Sequence, residues 1–330
     1  MLELAFTTRD LAHTRLAYSP LWEVVTSRRV LGRRSPGALH RRWVEQARPR
    51  LAAAGLGTGL LADLVPPYGY LPDFLNPPPG RVAPSAGAAA ALEAELAVVA
   101  RTEPGRVRAD LELMTSWTPE VAALHRDPAA VLPELVDQVR RYWEVALAPH
   151  WSRLRTVLES DVLHQSRRFA AAGSAAVLQE LHPSVEWCTD RLTLPAITCG
   201  PSEGLAGRGL LLVPSAFVGP AHTMVINRPG EVVQLCYPSR GVGLLWEQQP
   251  TRVPEAVAAV LGRSRALLLA ELAVPASTTE LSRRTGMSAA GVSQHLTALR
   301  AAGIVASHRS GRSVLYQRTD LADSLLAAAS

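Results

Sequence analysis

The sequence predicts a mainly α-helical protein with a small antiparallel β region, an α+β class, that ends in a winged helix-turn-helix. Three observations predict it. Apolar residues recur at helical spacing through most of residues 1–183. Between 184 and 247 the pattern shifts to short β-branched or apolar runs separated by Gly and Pro. From 251 to 330 the order is helix, turn, helix, hairpin, helix. The expected domains are therefore a helical body over 1–183, a β region of the same body over 184–250, and a C-terminal domain over 251–330. A chain of 330 residues, 48% hydrophobic and 19% charged, can fill two substantial cores.

The opening MLELAFTTRDLAHTRL has neither the basic start nor the apolar centre of a signal peptide, so a cytoplasmic location is expected. No apolar run reaches the roughly 18–20 residues of a spanning helix, which argues against a membrane partner. Helical patterns then begin with LAHTRLAYSPLWEVVTSRRVL, broken near Ser19-Pro20, and HRRWVEQARPRLAAAG, which stops at Gly55. The proline-rich PPYGYLPDFLNPPPGRVAPSAG, 66–87, cannot hold a long helix, but Tyr68, Tyr70, Leu71, Phe74 and Leu75 make it a docked loop. Helices resume from ALEAELAVVART to AVLQEL. VEWC, RLTLPAITC, GRGLLLVPSAFVG, AHTMVINR and EVVQLCYPSRG read as strands, and QQPTRVP reads as a linker.

Several fragments resemble catalytic patterns without their context. GPSEG, 200–204, fits G-x-S-x-G, but a hydrolase serine such as Ser202 needs a strand before it and a helix after it. LAGRGLLLVP follows instead and reads as a turn and a strand. GLGTG, 55–59, follows a helix and lacks the GK[ST] ending of a phosphate loop, so it is a helix stop. HPSVEWC brings His182, Glu186 and Cys188 close in sequence, in a strand-like setting rather than at metal-ligand spacing. Tyr142, Trp143 and Trp151 read as helical core. Cys188, Cys199 and Cys236 show no CxxC spacing and read as reduced, mostly buried thiols. No catalytic residue, metal site or cofactor is expected.

The C-terminal region carries the functional signal. The net charge is +5, and from Arg252 onward nine arginines face five acidic residues, an excess of four. The chain contains no lysine, so every side chain that is basic at neutral pH is arginine or histidine. A basic domain attached to a near-neutral body suits a polyanion partner. PEAVAAVLG and RSRALLLAEL are short helices. STTELSRRTG is a third, with Ser277 or Thr278 as N-cap and Glu280 near the capping-box position. Gly286 ends it, and Ser288 caps a fourth helix over 289–301. On this helix Val292, Leu296, Leu299 and Gly303 form an inward stripe, which leaves Ser293, Gln294, His295, Thr297 and Arg300 to other faces. IVASHRSGRSVLYQR is a hairpin around Ser310-Gly311, and TDLADSLLAAA is a last helix.

This order, with TTELSRRTGMSAAGVSQHLTALRAAGIVASHRSGRSVLYQ, resembles the winged helix of arsenic-repressor-type (ArsR) bacterial regulators over residues 254–328. The body, through SPLWE, LPDFLNPPP, GLLLVPSAF and YPSRGVGLLWE, is similar to an uncharacterised domain that precedes such winged helices in high-GC bacteria. The resemblance implies a sequence-specific transcriptional regulator that binds double-stranded DNA at a palindromic operator. It also implies repression as the mode of control. Operator geometry adds a homodimer, since one winged helix makes few base contacts and a symmetric pair reads a palindrome. That leaves the body as the candidate to dimerise, to hold a small-molecule effector, or both; the resemblance itself supplies no ligand. With facing, it makes Ser288, Ala289, Ser293, Gln294 and His295 the groove-facing candidates, Arg309 and Arg312 the wing contacts, and Arg283, Arg284 and Arg300 the phosphate clamps. The family's metal chemistry does not carry over: its paired cysteines are replaced by PASTTELS, and its terminal-helix Asp/His ligands by TDLADSLLAAAS. Two other readings remain open, an enzyme-like body with an accessory winged helix and a winged helix that binds protein.

Overall fold

The computed structural model describes residues 1–35, 37–80, 87–194, 204–228, 230–246, 255–272, 275–310 and 313–327. These fold into two compact units, the first ending at Trp246 and the second lying beyond it.

In the first unit the chain runs β1 (Leu2–Ala5), α1 (Thr8–His13), β2 (Arg15–Leu16), α2 (Pro20–Gly32), α3 (Gly37–Ala53) and α4 (Leu60–Leu64). It continues through α5 (Ala88–Ala100), α6 (Pro104–Glu112), α7 (Pro119–Arg126), α8 (Pro128–Tyr142) and α9 (Trp151–Gln179). The strands β3 (Glu186–Cys188), β4 (Arg191–Leu194), β5 (Leu210–Ser215), β6 (Met224–Ile226) and β7 (Val233–Pro238) follow. The class is α+β, as expected. Antiparallel pairing holds in the sheet β1-β4-β3 and between β6 and β7.

The pairing differs from expectation in the four-stranded sheet β2-β5-β7-β6, where β5 runs parallel to both β2 and β7. The physical cause is the path of the chain. After β5 it crosses to the edge as β6 and turns back into β7, which inserts beside β5. A strand so placed is buried on both faces, and all six residues of β5 are buried, which accounts for the unbroken apolar run LLLV. Leu210 and Leu212 join Leu2, Leu4, Leu192, Leu235 and Tyr237 on one side. Leu211 and Val213 meet Trp22, Val218 and Cys236 on the other. The first residues thus form a strand, not the start of a helical body. The alternation of buried Leu2 and Leu4 with Glu3 and Ala5 is the period-two signal that the short segment carried.

Buried polar groups tie the helices to this sheet. Trp22 Nε1 donates to Gln234 Oε1 (3.0 Å), and Gln234 Nε2 donates to the Asn76 carbonyl (2.8 Å). The second bond docks the loop of residues 66–80, where Leu71, Phe74 and Leu75 are buried as expected but Tyr68 is 68% exposed. The Glu23 carboxyl accepts from the Ala216 amide at 3.2 Å, and the Glu95 carboxyl accepts from the Leu21 amide at 2.9 Å. Tyr142, Trp143 and Trp151 are core residues. Of the cysteines, Cys236 is buried and Cys188 exposed, both free, which corrects the expectation for Cys188; Cys199 lies outside the described residues, as does Ser202. His182 does not group with Glu186 and Cys188. Its ring nitrogens meet Ser184 Oγ (2.7 Å) and the Pro220 carbonyl (2.8 Å). Gly55 (φ 72°) closes α3 and Gly59 (φ 101°) precedes α4, so GLGTG is a helix stop.

The second unit contains α10 (Glu255–Leu261), α11 (Arg263–Glu271), β8 (Ala276–Ser277), α12 (Thr278–Thr285), α13 (Ala289–Ala301), β9 (Val305–Ser310), β10 (Ser313–Arg318) and α14 (Asp320–Ala327). Its sheet, in the order β8-β10-β9, is antiparallel throughout. Among the described residues no helix is long and apolar enough to cross a membrane.

Candidate nucleic-acid interface

The turn between α12 and α13 is fixed locally. Ser277 Oγ accepts from the Glu280 amide at 3.2 Å and starts α12. Gly286, at φ 72°, takes the left-handed conformation that ends it. Ser282 Oγ donates to the Met287 carbonyl (2.6 Å), which pins the turn. Ser288 Oγ then accepts from the Gly291 amide at 3.2 Å and caps α13. Val292, Leu296 and Leu299 are buried against Leu281, Leu268 and Leu269. Each such side chain contributes about 1.5–3 kcal/mol of burial, which locks the face α13 presents outward. The stripe is one residue shorter than expected. Gly303 is exposed at φ 71° and turns the chain, and Ile304 enters the core in its place.

Counting about 100° per residue, Gln294 lies nearly opposite the buried stripe. Gln294 is exposed, as are Ser288, Ala289 and Ser293. His295 is half-buried at the edge of the stripe, so it stands apart from the outer face. Ala290 and Thr297 are exposed beside Gln294. Ala290 was not anticipated, although the same helical periodicity places it there. Thr297 Oγ1 donates to the Ser293 carbonyl (2.9 Å), which leaves the residue's methyl as its distinctive outward group.

The arginines divide by what already holds them. Glu280 takes Arg283 at 2.8 Å and Arg284 at 2.9 Å. Burial alone would push the pKa of Glu280 up, but the two guanidinium groups hold it below the usual carboxylate range. Arg283 is 62% exposed and its charge can still reach a partner, whereas Arg284 is 16% exposed and serves mainly to close the motif. Glu280 therefore does not complete a reciprocal capping box; its carboxylate is spent on these arginines. Arg300 is exposed, and its Nη1 donates to Ser307 Oγ (3.3 Å), linking α13 to β9. Arg309 is exposed on β9, while Arg312 lies outside the described residues. Arg318, to which the sequence assigned no role, donates to the Leu269 (2.7 Å) and Ala270 (2.6 Å) carbonyls and caps the end of α11.

Because Ser288 serves as the cap, Ser288→Ala is expected to destabilise the second unit by about 1 kcal/mol. Thermal melting would check this, with a drop of a few degrees expected and an unchanged melting point counting against the cap.

A core of three helices, α11 to α13, an exposed face on α13 and the hairpin β9-β10 define a winged helix-turn-helix, the fold of a DNA-binding transcription regulator. Residues 265–307 match the family described as bacterial regulatory protein, arsR family, and residues 102–243 match a family of unknown function (DUF5937). The chain thus carries an arsR-family helix-turn-helix preceded by a domain whose function that second family leaves open. No curated protein and no solved structure matches it.

Proposed function

We propose that this chain is a homodimeric, sequence-specific repressor whose body over residues 1–250 binds a small-molecule effector and whose domain over 251–330 reads an operator. The observation that carries the proposal is the exposed outer face of α13, where Gln294 stands opposite a fully buried stripe. Gln can pair bidentately with adenine, and the free amides at the start of α13, at Ala289 and Ala290, suit a phosphate. Arg300, Arg309 and Arg312 supply backbone contacts along the adjacent groove, joined by Arg283. Ser288 and Ser293 flank the reading residue. His295 and Arg284 act by position rather than by contact.

A single winged helix makes few base contacts, so a symmetric pair reading a palindrome is the economical arrangement. The exposed Val260 of α10 and Leu321 and Leu325 of α14 are apolar surface that such a pairing would cover. Effector control would follow if the ligand-bound body favours one spacing of the two readers. The function proposed for the body is sensing rather than catalysis, and action on chromosomal DNA places the protein in the cytoplasm.

The test is binding of the purified protein to its own upstream DNA and to an unrelated duplex across a salt series. Affinity for the upstream duplex is expected to exceed the other by about 10³ or more, with a steep salt slope for both. Equal weak binding to the two duplexes would overturn sequence-specific reading.

A further inference from the structure

The first unit contains a cavity of about 420 Å³ between α9 and the segment that follows β7, lined by His164, Gln165, Arg168, Tyr237 and Arg240 among others. It opens at the carboxyl end of β7, where β7 runs parallel to β5. The carboxyl ends of parallel strands are where open α/β sheets take ligands, because the chain leaves the sheet there in loops that diverge.

The lining carries two arginines and one acid, Glu180, which is paired with the first of them. Arg168 is clamped in place by the Glu180 carboxylate, by Gln165 Oε1 at 3.3 Å and by the Ala176 carbonyl at 3.5 Å. Gln165 is only 3% exposed, and with its oxygen taken by Arg168 its amide nitrogen has no protein partner among the described residues. The Arg240 guanidinium meets the imidazole of His164, not a carboxylate. That contact requires His164 to be neutral with its Nε2 as acceptor. Burial, followed by Arg240, Arg168 and Arg167, pushes the imidazole's pKa down, in keeping with a neutral ring. The nearest buried acid, Asp161, is already committed: Tyr237 Oη donates to it at 2.6 Å and the Arg240 amide at 3.1 Å. The cavity therefore presents preplaced donors, its acid Glu180 is paired with Arg168, and the exposed Arg240 has no carboxylate in hydrogen-bond contact with its guanidinium among the described residues, the arrangement that suits an oxyanion with several acceptor oxygens.

We propose that this cavity binds a small organic anion through a carboxylate or phosphoryl group, held by Arg240 with the Gln165 amide and Arg168. Arg240 supplies the charge, and Gln165 and Arg168 fix the orientation from positions already set by the fold. The purpose of such binding rests on the reading of the body as a sensor. Its chemistry does not, and it is tested without DNA.

Titration calorimetry on the full chain, at matched ionic strength, would use inorganic phosphate and succinate as separate probes, with sodium chloride as the control. Saturable binding with a dissociation constant on the order of 1 mM is expected for at least one probe. Phosphate alone would assign a phosphoryl ligand, succinate alone a carboxylate, and both a general oxyanion site. Arg240→Gln should weaken binding at least tenfold and Arg240→Lys should restore part of it, while Arg126→Gln, at an exposed arginine on α7, should leave it unchanged. Absence of saturable binding by both probes, or equal loss in Arg240→Gln and Arg126→Gln, would overturn the proposal and leave the winged-helix reading untouched.

Discussion

Gln294→Ala combined with Arg309→Ala is expected to reduce operator affinity by about a hundredfold while leaving the fold of the second unit intact. Both side chains are exposed, and neither contributes to the core that sets the angle of α13. The two losses should separate by type. Gln294 sits on the outward face of the helix, so its removal should cost about 1–3 kcal/mol against the operator and almost nothing against unrelated DNA. Arg309 lies on the wing, where a guanidinium neutralises phosphate. Its loss should weaken both duplexes alike and lower the salt slope by about one. Fluorescence anisotropy with each single variant and the double variant, on both duplexes at several salt concentrations, distinguishes these outcomes. If the double variant binds the operator as tightly as the parent, α13 is not the reading element. If Gln294→Ala weakens both duplexes equally, the outward face of the helix contacts phosphate rather than bases.

The order of elements in the second unit was legible because each boundary rests on local chemistry. Ser277, Gly286, Ser288 and Gly303 are caps or stops whose effect depends on a few neighbours in sequence. Individual side-chain roles were less legible, since they depend on partners that helical spacing only suggests. Arg283 and Arg284 read as equal basic residues until Glu280, three and four positions earlier, takes both and hides one. Arg318 looks like a strand-end charge, and its two carbonyl partners on α11 are about fifty positions away in the chain. In the first unit the strands were recognisable from LLLV and its neighbours, but the parallel pairing of β5 with β7 was not. Strand direction is decided by where the chain crosses, and periodicity carries no record of that. The cavity beside Arg240 likewise draws on α9 and the end of β7, segments that only the fold brings together.

The stability of the first unit is expected to fall as pH rises from about 5 to 8, and Glu23→Gln should remove a large part of that fall. Glu23 is fully buried on α2, with the Ala216 amide as its donor and, among the described residues, no arginine against it. Burial raises its pKa to about 8, a shift that the Ser215 hydroxyl and the Ala216 amide oppose only in part. Glu95 is held at about 8 for the same reason, with Ser19 and the Leu21 amide opposing. The unfolded chain releases these protons near the ordinary carboxyl value of 4.5, so between the two values the folded state binds more protons. The stabilisation is complete below the unfolded value and is lost through the folded one, at about 1.4 kcal/mol per pH unit for each group.

His40 works in the opposite direction at the acid end. Burial, and then Arg33, lower its pKa from 6.5 to about 4. The unfolded chain then binds the extra proton, and stability falls as pH drops below the unfolded value. The total profile therefore bends, and the difference between parent and variant isolates Glu23. Urea unfolding at pH 5.5 and pH 8.0 should find Glu23→Gln close to the parent at the lower pH and more stable by on the order of 2–4 kcal/mol at the higher one. The amide retains an acceptor for Ala216 and cannot ionise. A variant less stable than the parent at pH 8.0, with an unchanged pH dependence, would mean that the buried carboxyl is ionised in the folded protein and that its contacts at Ser215 and Ala216 outweigh the cost of burying the charge.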